Sequence, residues 1–129
     1  MKKSEIIIKP ATKAYAKEFY GDTYTKSFKG YVSLLGGKVV GVAGISFEKE
    51  TMVLFSDIKK EFRPFKRDIV KGIRMLGKMV DKLRYPVIAV ADKKEPAAEK
   101  LLTRLGFTPS GYMNHDGSKI FRRFPQWPQ

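Results

Sequence analysis

TMVLFSDI (residues 51–58), DIVKGIRMLGKMVDKL (68–83) and VIAVA (87–91) follow one another with a change of hydrophobic period between them. The first reads as a long strand. In the second, Ile69, Ile73, Leu76, Val80 and Leu83 recur at helical spacing, while Lys71, Arg74, Lys78 and Lys82 fall on the opposite face. Asp68 stands where an acidic residue suits a helix start. Tyr85-Pro86 closes the helix, and the all-apolar run that follows has the composition of a strand covered on both faces. Strand, helix and strand in this order predict a parallel βαβ unit.

Upstream, residues 4–9 are rich in Ile and read as a first strand closed by Pro10. Thr12 caps a short helix running to about Phe19 and ended by Gly21. Residues 22–28 leave a further helical turn open. Residues 30–35 and 38–47 are apolar runs separated by Gly36-Gly37, a hairpin signal because both positions tolerate positive φ. A charged turn at 48–50 then leads into the strand at Thr51. Downstream, a second helix is expected from Glu95-Pro96, with Ala98, Leu101, Leu102 and Leu105 as its buried stripe and Gly106 as its stop. Residues 107–113 and 119–124 read as a closing hairpin around Asn114-His115-Asp116-Gly117. The order β-α-(α)-β-β-β-α-β-α-β-β predicts an α/β (α+β) domain. Its sheet is mixed and mostly antiparallel, with one parallel βαβ unit and helices on both faces. Ile73, Leu76, Val80, Ile88, Leu101 and Leu105 are the expected core.

At 129 residues the chain has room for one domain, 1–129. A hydrophobic share of 43% beside 30% charged residues argues against disorder. No apolar stretch approaches a bilayer span, and Ile6-Ile7-Ile8 is too short for a signal-peptide core, so a cytoplasmic protein without membrane contact is expected. The absence of Cys excludes disulfides, a thiolate nucleophile and Cys-based zinc sites. The 26 basic and 13 acidic residues give +13. That balance fits either a soluble protein with cationic faces or a polyanionic partner such as nucleic acid, a nucleotide cofactor or an acidic protein.

The motifs for P-loop, dinucleotide and HExxH chemistry are absent, and the single His115 sits in a hairpin turn, where a solvated side chain explains it. Three stretches carry a likeness that spans nearly the whole chain. They are the Ile-rich strand with Lys9-Pro10-Ala11-Thr12, the glycine hairpin into Val39-Val40-Gly41-Val42-Ala43-Gly44, and the A-x-x-L-L-x-x-x-G-F run from Ala98 to Phe107. Together they resemble the GNAT superfamily of acyl-CoA N-acyltransferases. Ser56-Asp57-Ile58 and Arg122-Arg123-Phe124 are similar to small phage-encoded GNAT-like proteins, which implies a host cytoplasm.

The resemblance implies that acetyl-CoA lies where Thr51–Ile58 and Val87–Ala91 splay apart. Its pyrophosphate would rest on backbone N–H groups in a [QR]-x-x-G-x-[GA] loop at a helix start. The matching loop here is Arg63-Pro64-Phe65-Lys66-Arg67-Asp68. Arg63 fits the first position, but Lys66 and Asp68 replace the small residues. Lys66 and Arg67 can instead bind phosphate with their side chains, while Asp68 opposes it or caps the helix. The resemblance further implies thioester polarisation by a backbone N–H near Ile58. The family's tyrosine that protonates the thiolate is replaced by Leu102, leaving Tyr112 or solvent as the acid, and an Asn near that helix's start corresponds to Glu95. Asp57 and Glu50 are the candidate bases toward an amine on a small molecule or protein. The alternative is a catalytically degenerate GNAT fold that binds nucleic acid or a protein through its basic surface.

Overall fold

The structure, a computed structural model, describes residues 5–24, 26–48 and 51–125. Strand β1 (Ile6–Pro10) leads to helix α1 (Lys13–Tyr20), then to strands β2 (Phe28–Leu35), β3 (Lys38–Glu48) and β4 (Thr51–Ile58). A 3₁₀ turn (Lys60–Phe62) joins β4 to α2 (Lys66–Asp81), which is followed by β5 (Val87–Ala91), α3 (Ala98–Arg104), β6 (Thr108–Met113) and β7 (Lys119–Arg123). The strands form one sheet in the order β1-β2-β3-β4-β5-β7-β6. Among the described residues, only β4 and β5 pair in parallel; every other neighbouring pair is antiparallel. The expected mixed sheet with its βαβ unit is therefore present, as are helices on both faces.

Local chemistry explains most boundaries. Thr12 is extended and its Oγ1 accepts the Tyr15 N–H at 3.2 Å, while Gly21, at φ 109°, ends α1. Gly36 and Gly37 both hold positive φ in the β2–β3 turn, as their pairing in sequence demands. Three expectations need correction. Residues 22–24 form a turn, with Tyr24 N–H bonded to Gly21 O, and no further helix. Helix α2 begins two residues before Asp68, because Phe65 O already accepts the Ile69 N–H at 3.0 Å. Asp68 is thus the third helical residue, not the cap. Helix α3 begins at Ala98, after separate turns closed by Glu95 N–H on Asp92 O and Ala98 N–H on Glu95 O.

The sheet divides the core in two. Helix α1 covers Val32, Leu34, Val39 and Val42 on one face. Helices α2 and α3 cover the other, where Leu76, Val80 and Leu102 meet Ile45, Leu54, Val87, Ala89, Ala91, Phe107 and Phe121. Leu76 and Val80 are buried as expected. Ile73, Ile88, Leu101 and Leu105 are only half-buried, and Leu102 takes the inner place. The causes differ. Ile73 lines a cleft under the N-terminal half of α2. Ile88 points, by strand alternation, to the face that α2 and α3 do not cover. Leu105 packs sideways on α2 at Gly77, where an added Cβ would meet its Cδ2 at 2.7 Å. No described helix is long and apolar enough to cross a membrane.

Candidate active site

Strands β4 and β5 pair through three residues only, Met52 with Val87, Val53 with Ile88 and Leu54 with Ala89. Beyond that point Phe55 to Ile58 continue along β3, and Val90 and Ala91 continue along β7. The sheet is open between them. In an antiparallel ladder, alternate residues turn both backbone groups toward the same neighbour. Lys59 N–H bonds to Val40 O at 2.8 Å, so Lys59, Asp57 and Phe55 direct theirs to β3. The N–H and C=O of Ser56 and Ile58 consequently face the opening.

Helix α2 starts beside this opening. Phe65, at its N-cap, supplies no side-chain cap. Among the described residues, the N–H groups of Lys66, Arg67 and Asp68 have no backbone acceptor, whereas the next one, of Ile69, does. Three free donors at the positive end of a 16-residue helix make an anion seat. Lys66 and Arg67 are exposed there, and neither is within 4 Å of a described carboxylate. Asp68 is half-buried and lines the cleft between α2 and the sheet, with Ile69, Gly72, Ser33 and Ser56. The free space of that cleft, about 20 Å³, accommodates little more than a water molecule. Gly41 permits the approach of the 3₁₀ turn: a Cβ there would stand 2.7 Å from the Phe62 ring.

Arg63 does not stand free. It bridges to Glu95 at 2.8 Å, joining the segment that leaves β4 to the segment that leaves β5. This pair spans the mouth of the opening and was not foreseen, since nothing in the sequence relates two residues so far apart. Leu102, where the resemblance implies a tyrosine, is buried in the core and offers no proton.

On the sheet face opposite α2, Asp57 is exposed and accepts a 2.6 Å hydrogen bond from the Tyr20 hydroxyl. Tyr20 stacks on Tyr24 with ring centroids 4.6 Å apart, and Tyr24, Phe28 and Phe55 continue edge to face. Partial burial, reinforced by the hydrogen bond and negative charge of Asp57, raises the Tyr20 pKa well above that of free tyrosine, so its proton is retained. Tyr20 is the residue that sequence reasoning missed. Its only sequence signal is the density of aromatics from Phe19 to Phe28.

The remaining candidates lie apart. Tyr112 is exposed on β6, two strands beyond β5 and so about 10 Å across the sheet. Glu50 falls outside the described residues. Among the described residues, no group of three or more His, Asp or Glu side chains could hold a metal ion.

No protein-family model matches the chain, and no curated protein matches it. Solved structures do. A putative acetyltransferase from Acinetobacter baylyi ADP1 superposes with a TM-score of 0.67 at 15% identity, over 99% of each chain. A GNAT superfamily phosphinothricin acetyltransferase from Sinorhizobium meliloti, in complex with AcCoA, superposes with a TM-score of 0.66 at 17% identity, over 92% of this chain and 87% of that one. An N-acetyltransferase from Staphylococcus aureus Mu50 gives 0.65 at 15% identity, over 92% and 98%. Identities this low speak for architecture alone. The chain has the GNAT fold.

Proposed function

We propose that this chain transfers an acetyl group from acetyl-CoA to an amine. The observation that carries the reading is the parallel pair opening after three residues, with an uncapped helix N-terminus beside the gap. The free N–H groups of Lys66, Arg67 and Asp68 suit a pyrophosphate, and the side chains of Lys66 and Arg67 add charge where the family uses glycine. The residues present therefore fit the donor by a seat of N–H groups flanked by cations.

The Ile58 N–H points into the gap and donates to the thioester oxygen as negative charge gathers there. On the other face, Asp57 receives the acceptor. Its carboxylate is held by Tyr20 and is exposed to solvent, so it can draw in an ammonium group and take its proton. The amine lone pair then attacks the carbonyl carbon; the C–N bond forms and the C–S bond breaks. The acylated nitrogen sheds its second proton, which passes through water to the departing thiolate, because Leu102 has none to give and Tyr112 lies two strands beyond β5. No covalent enzyme intermediate is required, consistent with a chain that lacks Cys.

Calorimetric titration with acetyl-CoA, paired with thiol release over a panel of amines, tests the reading. Lys66→Ala and Arg67→Ala should each weaken binding, with a smaller loss at high salt. Asp57→Asn should bind acetyl-CoA as wild type does, yet lose about 10²–10⁴-fold in turnover. Absence of both heat and thiol release would refute it.

A further inference from the structure

Helix α2 carries a second feature, of which acyl transfer uses only the first residue, Arg67. Arg67, Lys71, Arg74, Lys78 and Lys82 follow one another at steps of four, three, four and four residues, and Lys82 keeps helical backbone angles at the C-cap. At 100° per residue they fall within one narrow strip, opposite the buried Leu76 and Val80. All five are exposed, and none has a described carboxylate within 4 Å. The two acids on the helix are engaged elsewhere: Asp81 binds Arg123, and Asp68 lines the cleft beneath the helix. The strip is about 22 Å long, with charges about 4.5–6 Å apart along the axis. At its far end Arg84 is exposed, and Tyr85 presents its ring with 64% of the residue accessible.

We infer that this strip binds single-stranded nucleic acid, phosphates along the row of cations and a base on Tyr85. A linear cationic track with an aromatic platform is the arrangement by which strands are held without sequence preference, and about 22 Å suits a site of a few nucleotides. A membrane surface fits less well. A helix seated in lipid headgroups needs large apolar side chains beside its cations. Apart from Tyr85, none of the exposed ones here, such as Phe47, Val90, Tyr112 and Met113, belongs to α2 or to the segment that follows it. The inference is independent of the acyl-transfer reading, because Arg74, Lys78, Lys82 and Tyr85 stand beyond the helix N-terminus.

The test is fluorescence anisotropy of the whole chain with a labelled 12-nucleotide single strand at rising salt. Five neutralised phosphates should give a slope of log K against log salt near about −3.5, from about −0.7 each. Arg74→Glu/Lys78→Glu, shown by circular dichroism to be folded, should flatten the slope by about 1.4 and weaken binding more than about tenfold at 50 mM salt. Tyr85→Ala should weaken binding about tenfold and leave the slope unchanged. The inference is overturned if wild type shows no binding at 50 mM salt, or if the double variant keeps the wild-type slope. Unchanged binding by Tyr85→Ala would overturn it, as would retention on phosphatidylserine vesicles in preference to the oligonucleotide.

Discussion

Gly41→Ala probes how the sheet positions the candidate phosphate seat. Gly41 lies on β3, paired with Ile58 of β4, and the Phe62 ring rests directly on it. A Cβ at this position would stand 2.7 Å from Phe62 Cδ2 and 2.8 Å from Cε2. Ordinary carbon contacts are about 3.5–4.0 Å, so the ring must retreat by roughly 0.8 Å or more. Phe62 is only 3% exposed and its carbonyl holds the Phe65 N–H, one residue before α2 begins. Retreat therefore moves the start of α2 as well. Overpacking of this kind costs about 1–3 kcal/mol. Urea unfolding of Gly41→Ala should show a loss in that range with an unchanged m-value. Adding Phe62→Leu, which removes the obstructing ring edge, should make the double variant less destabilised than the two single losses together. A loss below about 0.5 kcal/mol would refute the contact, and so would strict additivity of the pair.

Leu102→Ala should cost about 2–5 kcal/mol by chemical denaturation, and Leu101→Ala clearly less, because Leu102 is the inner residue of α3; the reverse order would mean that α3 is turned on its axis. Tyr20 should be missing from the phenolate absorbance titration between about pH 10 and 11. Its raised folded-state pKa contributes stability below the ionisation of an unfolded tyrosine and loses it as pH climbs above that point. Tyr20→Phe should thus show a shallower fall in stability above about pH 10, and an equal fall would contradict the burial of this phenol. Glu95→Gln should release Arg63 and strengthen acetyl-CoA binding at low salt, whereas weaker binding would show that Glu95 serves the site instead of closing its mouth.

The βαβ unit was legible because its signals are local. The period changes at α2 and the apolar run of five marks β5, although α2 already ends at Asp81, before Pro86, and β5 is covered on one face only, with Val90 exposed on the other. The hairpin at Gly36-Gly37 and the cap at Thr12 were legible for the same reason. What the sequence did not display depends on register and distance. The opening after Leu54 arises from how far two strands stay together, which no residue in either strand encodes alone. Of the stripe Ala98, Leu101, Leu102 and Leu105, only Leu102 is fully buried, and which of two adjacent leucines turns inward depends on how α3 is set against the sheet. Asp68 ceased to be a cap once the segment after β4 wound into a 3₁₀ turn and delivered Phe65 as the helix start. Tyr20 and Asp57 are 37 residues apart and meet only because α1 lies across the sheet beside β4. Arg63 is held by Glu95, which comes from the other side of the opening.

The central claim is that the gap between β4 and β5 and the start of α2 form one site for acetyl-CoA. Amide chemical shifts of ¹⁵N-labelled protein, followed as acetyl-CoA is added, test it residue by residue. The account predicts the largest shifts at the N–H groups of Ser56, Ile58, Lys66, Arg67 and Asp68, with β1 and β6 unmoved. Shifts confined to other residues, or none at millimolar acetyl-CoA, would contradict it.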